Sequence, residues 1–142
     1  MSIADITPGI GMFFRVSIDA FELGYWTKMS GLGIEIKTTP RSDSAMSFFQ
    51  HHMPAHMEYS HITLERPLTT ETGLVLAWFN TYHMLPIPTA GSIQCLDQSL
   101  SVIMSWDMIG VSPVRWKGPS MDASASNNVA TEVLELAHMG FL

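Results

Sequence analysis

Between Leu100 and Met108 the chain alternates. Leu100, Val102, Met104, Trp106 and Met108 fall on one parity and Ser99, Ser101, Ile103, Ser105 and Asp107 on the other. A period of two marks a half-buried strand, because successive strand side chains point to opposite faces. This run therefore commits the chain to a sheet. Shorter runs agree. Phe14, Val16 and Ile18 alternate with Arg15, Ser17 and Asp19. From Tyr25 to Thr39 a second run places Leu32, Ile34 and Ile36 against Gly33, Glu35 and Lys37, and Pro40 ends it. Gly31 and Gly33 predict a bend or bulge inside that strand. Ile62 and Leu64 alternate with His61, Thr63 and Glu65 before Pro67. Val114 and Trp116 flank Arg115, and Gly118-Pro119 reads as a turn.

One segment has a helical period. Thr69-Thr70-Glu71 offers a hydroxyl cap and an acid for the first turn. Leu74, Val75, Ala77, Trp78, Phe79 and Tyr82 then recur at helical spacing up to Pro86, which predicts a helix over 70–84. The final run is ambiguous. Ala130, Val133, Leu134 and Ala137 fit a helix, whereas Val129, Thr131 and Val133 favour a strand. Pattern alone leans to helix. The expected architecture is mainly β: a small antiparallel β-barrel or sandwich of seven or eight strands, with one helix over an open end. No repeats or low-complexity linkers divide residues 1–142, so one domain is expected.

Composition adds a constraint on the surface. Charged residues are 14% of the chain and apolar residues 46%. An average globular domain is about 25% charged. A deficit of this kind implies a large core or surface hidden in an assembly. Residues 41–57 point to the second. They hold Phe48, Phe49, three histidines and the methionines Met46, Met53 and Met57, in a stretch too long and apolar for an ordinary loop. We read it as an interaction arm. The net charge is -6, and no Lys or Arg lies between Arg41 and Arg66 or after Lys117. Gripping DNA requires clustered cations, so nucleic-acid clamping is not expected. Cys95 is the single cysteine and excludes an internal disulfide. Residues 1–5 lack a basic start and an apolar stretch, and no apolar run approaches the length of a membrane span. The expectation is a protein made in the cytoplasm without a signal peptide or membrane anchor.

No catalytic constellation stands out. His51, His52, His56 and His61 are close in sequence, but Pro54 interrupts any helix that would align His52 with His56 for zinc. Solvated or interface histidines are the plainer reading; a small metal enzyme on this cluster is the remote alternative. Ser60 beside His61 lacks a nucleophile-elbow motif, and Glu132 and Glu135 read as a surface pair. Gly9-x-Gly11 and Gly31-x-Gly33 lack the context of a phosphate loop. The expectation is no enzyme, no cofactor and no metal.

The stretch Trp106-Asp107-Met108…Pro113-Val114-Arg115-Trp116-Lys117-Gly118-Pro119-Ser120-Met121-Asp122-Ala123, followed by Glu132-Val133-Leu134-Glu135-Leu136-Ala137-His138-Met139-Gly140, resembles the tail tube protein family of contractile phages and contractile injection systems. Phe14-Arg15-Val16-x-Ile18-Asp19 with Ser30-Gly31-Leu32 resembles the family's opening strands. Tyr59-Ser60-His61-Ile62-Thr63-Leu64-Glu65-Arg66 with Leu74…Trp78-Phe79 resembles its central strand and helix. The resemblance implies an inner-tube subunit similar to the secreted hexameric tube protein of type VI systems. Its rings would stack into a hollow tube that a contracting sheath propels into a target envelope. The implied partners are further copies of the chain, sheath, baseplate and cap proteins, and tube paralogues. DNA or cargo would pass the lumen without specific binding, eased by repulsion from an acidic wall. A free hexameric ring or effector carrier is the alternative on the same fold. The resemblance also implies that the terminal run is a strand. The chain departs from the family at 41–57, where many members are basic and rich in Gly and Asn. Phe48, Phe49, His52, Met53 and Met57 are the expected inter-subunit contacts.

Overall fold

The computed structural model describes residues 12–38, 55–120, 124 and 129–142. Of the five expected contact residues, Phe48, Phe49, His52 and Met53 lie outside these; Met57 lies within. The fold is mainly β with one helix. Strand β1 (Phe13–Ile18) turns back at Asp19 into β2 (Phe21–Trp26). After Thr27 comes the short β3 (Lys28–Ser30), then β4 (Ile34–Lys37). β5 (His56–Tyr59) and β6 (Ile62–Pro67) precede the helix α1 (Thr72–Met84). β7 (Thr89–Leu96), β8 (Val102–Lys117), β9 (Thr131–Ala137) and β10 (Gly140–Phe141) complete the chain.

The main sheet is antiparallel in the order β2-β1-β7-β8-β9-β6-β3, and β10 pairs with β8. Strand β8 serves both halves. It pairs with β7 up to Val111 and with β9 from Ser112 onward. The two ends of the order, β2 and β3, are consecutive in the chain. At Thr27 the backbone leaves β1 and joins β6, where the Thr27 N–H donates to the Glu65 carbonyl at 3.0 Å. The sheet thus wraps round the core, but no ladder joins its ends, so the expected barrel is not closed. Val16, Ile18, Leu23 and Trp26 meet Ile62, Leu64, Leu134 and Leu136 in the core, with Val75 and Trp78 of α1 beside them. Full burial of one such aliphatic side chain contributes about 1.5–3 kcal/mol.

Four expectations need correction. The run from Tyr25 to Thr39 is three strands, not one bulged strand. It breaks at Gly31, whose φ of +90° is left-handed and whose missing Cβ would lie 1.9 Å from the His61 carbonyl oxygen. The helix begins at Thr72, with Glu71 at its N-cap rather than in its first turn. Thr69 still fastens this end: its hydroxyl accepts the Glu71 N–H at 3.2 Å. The terminal run is strand β9, against the pattern's lean to helix and in keeping with the family resemblance. Its inward residues are Glu132, Leu134 and Leu136. A charged residue at the first of these positions concealed the alternation. Finally, the clearest alternation of all buries little. Met108 is fully buried, but Val102, Ile103 and Met104 are each about half exposed.

The loop between β7 and β8 is tied by its own hydrogen bonds. The Asp97 carboxylate accepts from the Ser99 and Ser101 N–H groups, each at 2.9 Å, and these bonds hold it below the usual carboxylate range. Leu100 at the tip has φ +66°, a strained conformation for a branched side chain. Leu100→Gly should relieve about 1 kcal/mol of strain and raise the Tm by about 3–5 °C, read by thermal unfolding. A lowered Tm would show that Leu100 packs in a way its exposure conceals.

Candidate functional site

Three features concentrate what this surface can do. The first is the free edge of β8. On the side away from β7, β9 pairs with β8 from Ser112 onward, and Gly140 and Phe141 oppose Ile109 and Met108. The Asp107 carbonyl accepts the Leu142 N–H at 2.9 Å on that side. Backbone groups of alternate strand residues point the same way, so Ser105 presents its N–H and C=O to this edge. No strand opposes residues 102–106 there among the described residues. Val102, Ile103 and Met104 flank the opening with exposed side chains, and Leu100 projects beyond them. An apolar, unpaired edge of this length is a template for another strand.

The second feature is the ribbon of β4 and β5, which pairs Ile34 with Tyr59 and Ile36 with Met57. It forms a separate two-stranded sheet. Ile34, Ile36 and Met57 are 55%, 66% and 57% exposed, so the ribbon shows water more apolar surface than two strands usually sustain alone. Lys37 bonds Glu58 at 2.9 Å and His56 approaches the same carboxylate at 3.4 Å. Both hold Glu58 below its usual value, Lys37 more strongly. Residues 39–54 join the two strands, so the ribbon is the base of the expected arm.

The third is internal. Arg66 is 1% exposed and Glu132 is 0% exposed. Arg66 Nε donates to Glu132 at 2.6 Å, and Nη1 donates to the Leu23 carbonyl at 2.6 Å and to Glu71 at 3.3 Å. The guanidinium lies 3.9 Å from the Trp26 ring centroid. The Thr72 hydroxyl donates to the other Glu132 oxygen. One cation thereby ties β2, β6, β9 and the start of α1. The sequence reading took Glu132 and Glu135 for a surface pair; only Glu135 is near the surface, 3.6 Å from His61. An arginine closing β6 and a glutamate at core parity in β9 were the available signals.

Among the described residues no nucleophile, base and carboxylate come together as a catalytic grouping. His56 and His61 turn to different carboxylates, Glu58 and Glu135. No group of metal ligands occurs among the described residues, and His51 and His52 lie outside them. An open cleft of about 640 Å³ is lined by Met12, Phe14, Met29 and the weak pair Lys28–Glu65, with nothing resembling a nucleophile and base. No described helix is long and apolar enough to cross a membrane.

The tube-containing structure of an extracellular contractile injection system (a PVC sheath-tube complex in its extended state) holds a similar chain, with 19% identity, a TM-score of 0.66, and coverage of 100% of this chain and 97% of that one. A chain of the anti-feeding prophage baseplate, 6-fold symmetrised, matches at 18% identity and TM-score 0.64, with 100% and 96% covered. The Hcp1 protein of E. coli EAEC 042 matches at 7% identity and TM-score 0.53, over 91% and 86% of the two chains. These likenesses establish a shared fold. No curated protein matches in sequence. The family model described as T4-like virus tail tube protein gp19 matches residues 11–142, almost the whole chain, and its matched span holds β8, the ribbon and the Arg66 cluster alike. This chain belongs to the T4-like virus tail tube protein gp19 family.

Proposed function

We propose that this chain is a single-domain structural subunit of an inner tube, and that it works by assembly rather than by catalysis. Copies close into hexameric rings, and rings stack into a hollow tube. The observation that carries this reading is the free apolar edge of β8 in a member of a tail tube family. Pairing that edge with the next copy satisfies its backbone groups and covers Val102, Ile103 and Met104. Such a contact joins two different surfaces, so it closes into a ring only if the rotation per copy divides the circle. The ribbon supplies the second contact. Met57, with Ile34 and Ile36, is placed to dock on a neighbouring ring, and we assign the same role to Phe48, Phe49, His52 and Met53 in the segment between its strands.

A sheath outside the tube, a baseplate below and a cap above are the proposed partners. Chains of this fold occur in a sheath-tube complex, a baseplate and a tube-terminating cap of other contractile systems. Contraction of the sheath then drives the tube into a target, and cargo passes through the lumen. Negative-stain microscopy of the purified protein tests the assembly directly. Stacked rings with a central hole are expected. Single rings that never stack would favour the free-ring alternative, and a persistent monomer at high concentration would remove the reading.

A further inference from the structure

His138 stands between β9 and β10 and is 7% exposed. Neither ring nitrogen has a well-formed hydrogen bond among the described residues. Its imidazole packs against two aromatic rings, Phe141 at 4.6 Å and Tyr59 at 5.2 Å between centroids, and those two rings meet edge to face at 5.7 Å. Tyr59 is the last residue of β5, so this cluster is where the ribbon rests on the body. The seat is shaped for it. At Gly140 φ is +149°, and a Cβ there would come within 3.3 Å of the Tyr59 hydroxyl. The Tyr59 hydroxyl also reaches back along the ribbon to the Met57 sulfur at 3.5 Å. Besides this cluster, Ser60 fastens the same corner by donating to the Gly31 carbonyl at 2.6 Å.

We propose that His138 is a proton-operated latch: neutral, it completes the aromatic seat of the β4–β5 ribbon; protonated, it breaks that seat and frees the ribbon. A charged imidazole needs partners for two N–H donors, and this site offers it aromatic rings and one contact with the Gly140 backbone that falls short of a well-formed bond. The titratable groups facing it are few. From β5 comes Tyr59. From the β5–β6 corner comes His61, a second imidazole. From β9 comes Glu135, which His61 engages at 3.6 Å. β10 contributes Phe141 and no charge. The faces of Tyr59 and Phe141, at 5.2 and 4.6 Å, offer some cation–π attraction, which offsets only part of the cost of dehydrating a charged ring.

Burial pushes the His138 imidazole below its usual value, His61 adds to this, and the Gly140 backbone opposes it in smaller measure than burial. The sign follows. A histidine held neutral in the folded state stabilises that state at pH above its ordinary titration range. The stabilisation is lost as pH falls through the lowered folded value. The ribbon's own ion pairs act the other way. Glu58, held low first by Lys37, keeps its charge and its bond to Lys37 across the ribbon on mild acidification. Acid therefore loosens the ribbon from the body without melting the ribbon itself. Where the ribbon bridges rings, which rests on the assembly reading above, this would loosen stacking while sparing ring closure at β8.

Hydrogen exchange of the purified wild type, diluted below the concentration at which it assembles, at pH 7.5 and pH 5 and corrected for intrinsic rates, tests the latch within one subunit and apart from assembly. The Ser60 and His61 amides, at the seam between ribbon and body, are expected to lose protection at pH 5 while β4, β5, β6 and β9 keep theirs. His138→Phe, which keeps a ring and removes the charge, is expected to abolish the difference, and His61→Asn to preserve it. Unchanged protection in the wild type, or a switch that survives His138→Phe, overturns the proposal. Loss of the switch in His61→Asn alone would move the sensor to His61 and overturn it equally. If His138→Phe does not fold, the His138 ring-proton resonance of the wild type decides. It must titrate in step with the loss of protection and below the free-histidine range; titration at or above that range overturns the latch. Failure of the latch leaves the assembly reading intact, because ring formation is scored separately by microscopy.

Discussion

Arg66→Met is expected to destabilise the fold by about 3–5 kcal/mol, the usual cost of leaving one member of a buried ion pair without its partner. A domain of this kind has about 5–15 kcal/mol in total, so the variant would be partly unfolded or insoluble at ambient temperature. The reason lies in what remains. Glu132 is 0% exposed, and without Arg66 it keeps only the Thr72 hydroxyl. The Leu23 carbonyl loses a donor at 2.6 Å, and Trp26 loses the cation stacked on its ring. Methionine fills much of the volume, so the loss reports charge and hydrogen bonds more than a cavity. Adding Glu132→Leu to Arg66→Met should recover much of the stability, because an apolar pair of similar volume often replaces a buried ion pair at little cost. Urea denaturation of the single and double variants measures both. A single-variant loss below about 1 kcal/mol would mean that the network is held elsewhere.

Much of the fold was legible because its elements obey simple periods. β1 and β6 alternate cleanly and bury alternate residues. The helix keeps Val75 and Trp78 three apart on its buried side and stops before Pro86. The failures have particular causes. β9 hid because an inward position is Glu132, and a charge at core parity makes sense only beside Arg66, some 66 residues away in sequence. Local patterning cannot see such a partner. The switch at Thr27 was equally invisible. Pairing first with β1 and then with β6 is a property of two distant strands, and nothing in Trp26-Thr27-Lys28 announces it. The candidate contact surface was legible only in part. The low charge content and the apolar arm pointed to assembly, but the alternation in β8 predicted only a half-buried strand, since it shows which side chains share a face and not which chain covers that face.

That uncovered face yields the second large effect. Ile103→Lys is expected to abolish assembly while leaving the subunit folded. Ile103 is 51% exposed, so within one copy a lysine there reaches water and should change stability by no more than about 0.5 kcal/mol. Against a neighbouring strand the same ammonium would be desolvated without a partner. A penalty of about 3 kcal/mol per contact raises the concentration needed for association by about 100-fold. Ser105→Pro separates backbone pairing from side-chain packing. Ser105 presents its backbone to the free edge, where proline is tolerated within a subunit because no ladder bond is lost. Proline nevertheless removes the N–H that a neighbouring strand would need. If the edge is covered by strand pairing, both variants should sediment as monomers with the unfolding midpoint of the parent, apart from shifts of a degree or two. If only side chains meet there, Ser105→Pro should still assemble and Ile103→Lys should not. Rings formed by both variants at the parent's concentration would place the inter-subunit contact away from β8 and leave Val102, Ile103 and Met104 exposed in the tube as they are in the single chain.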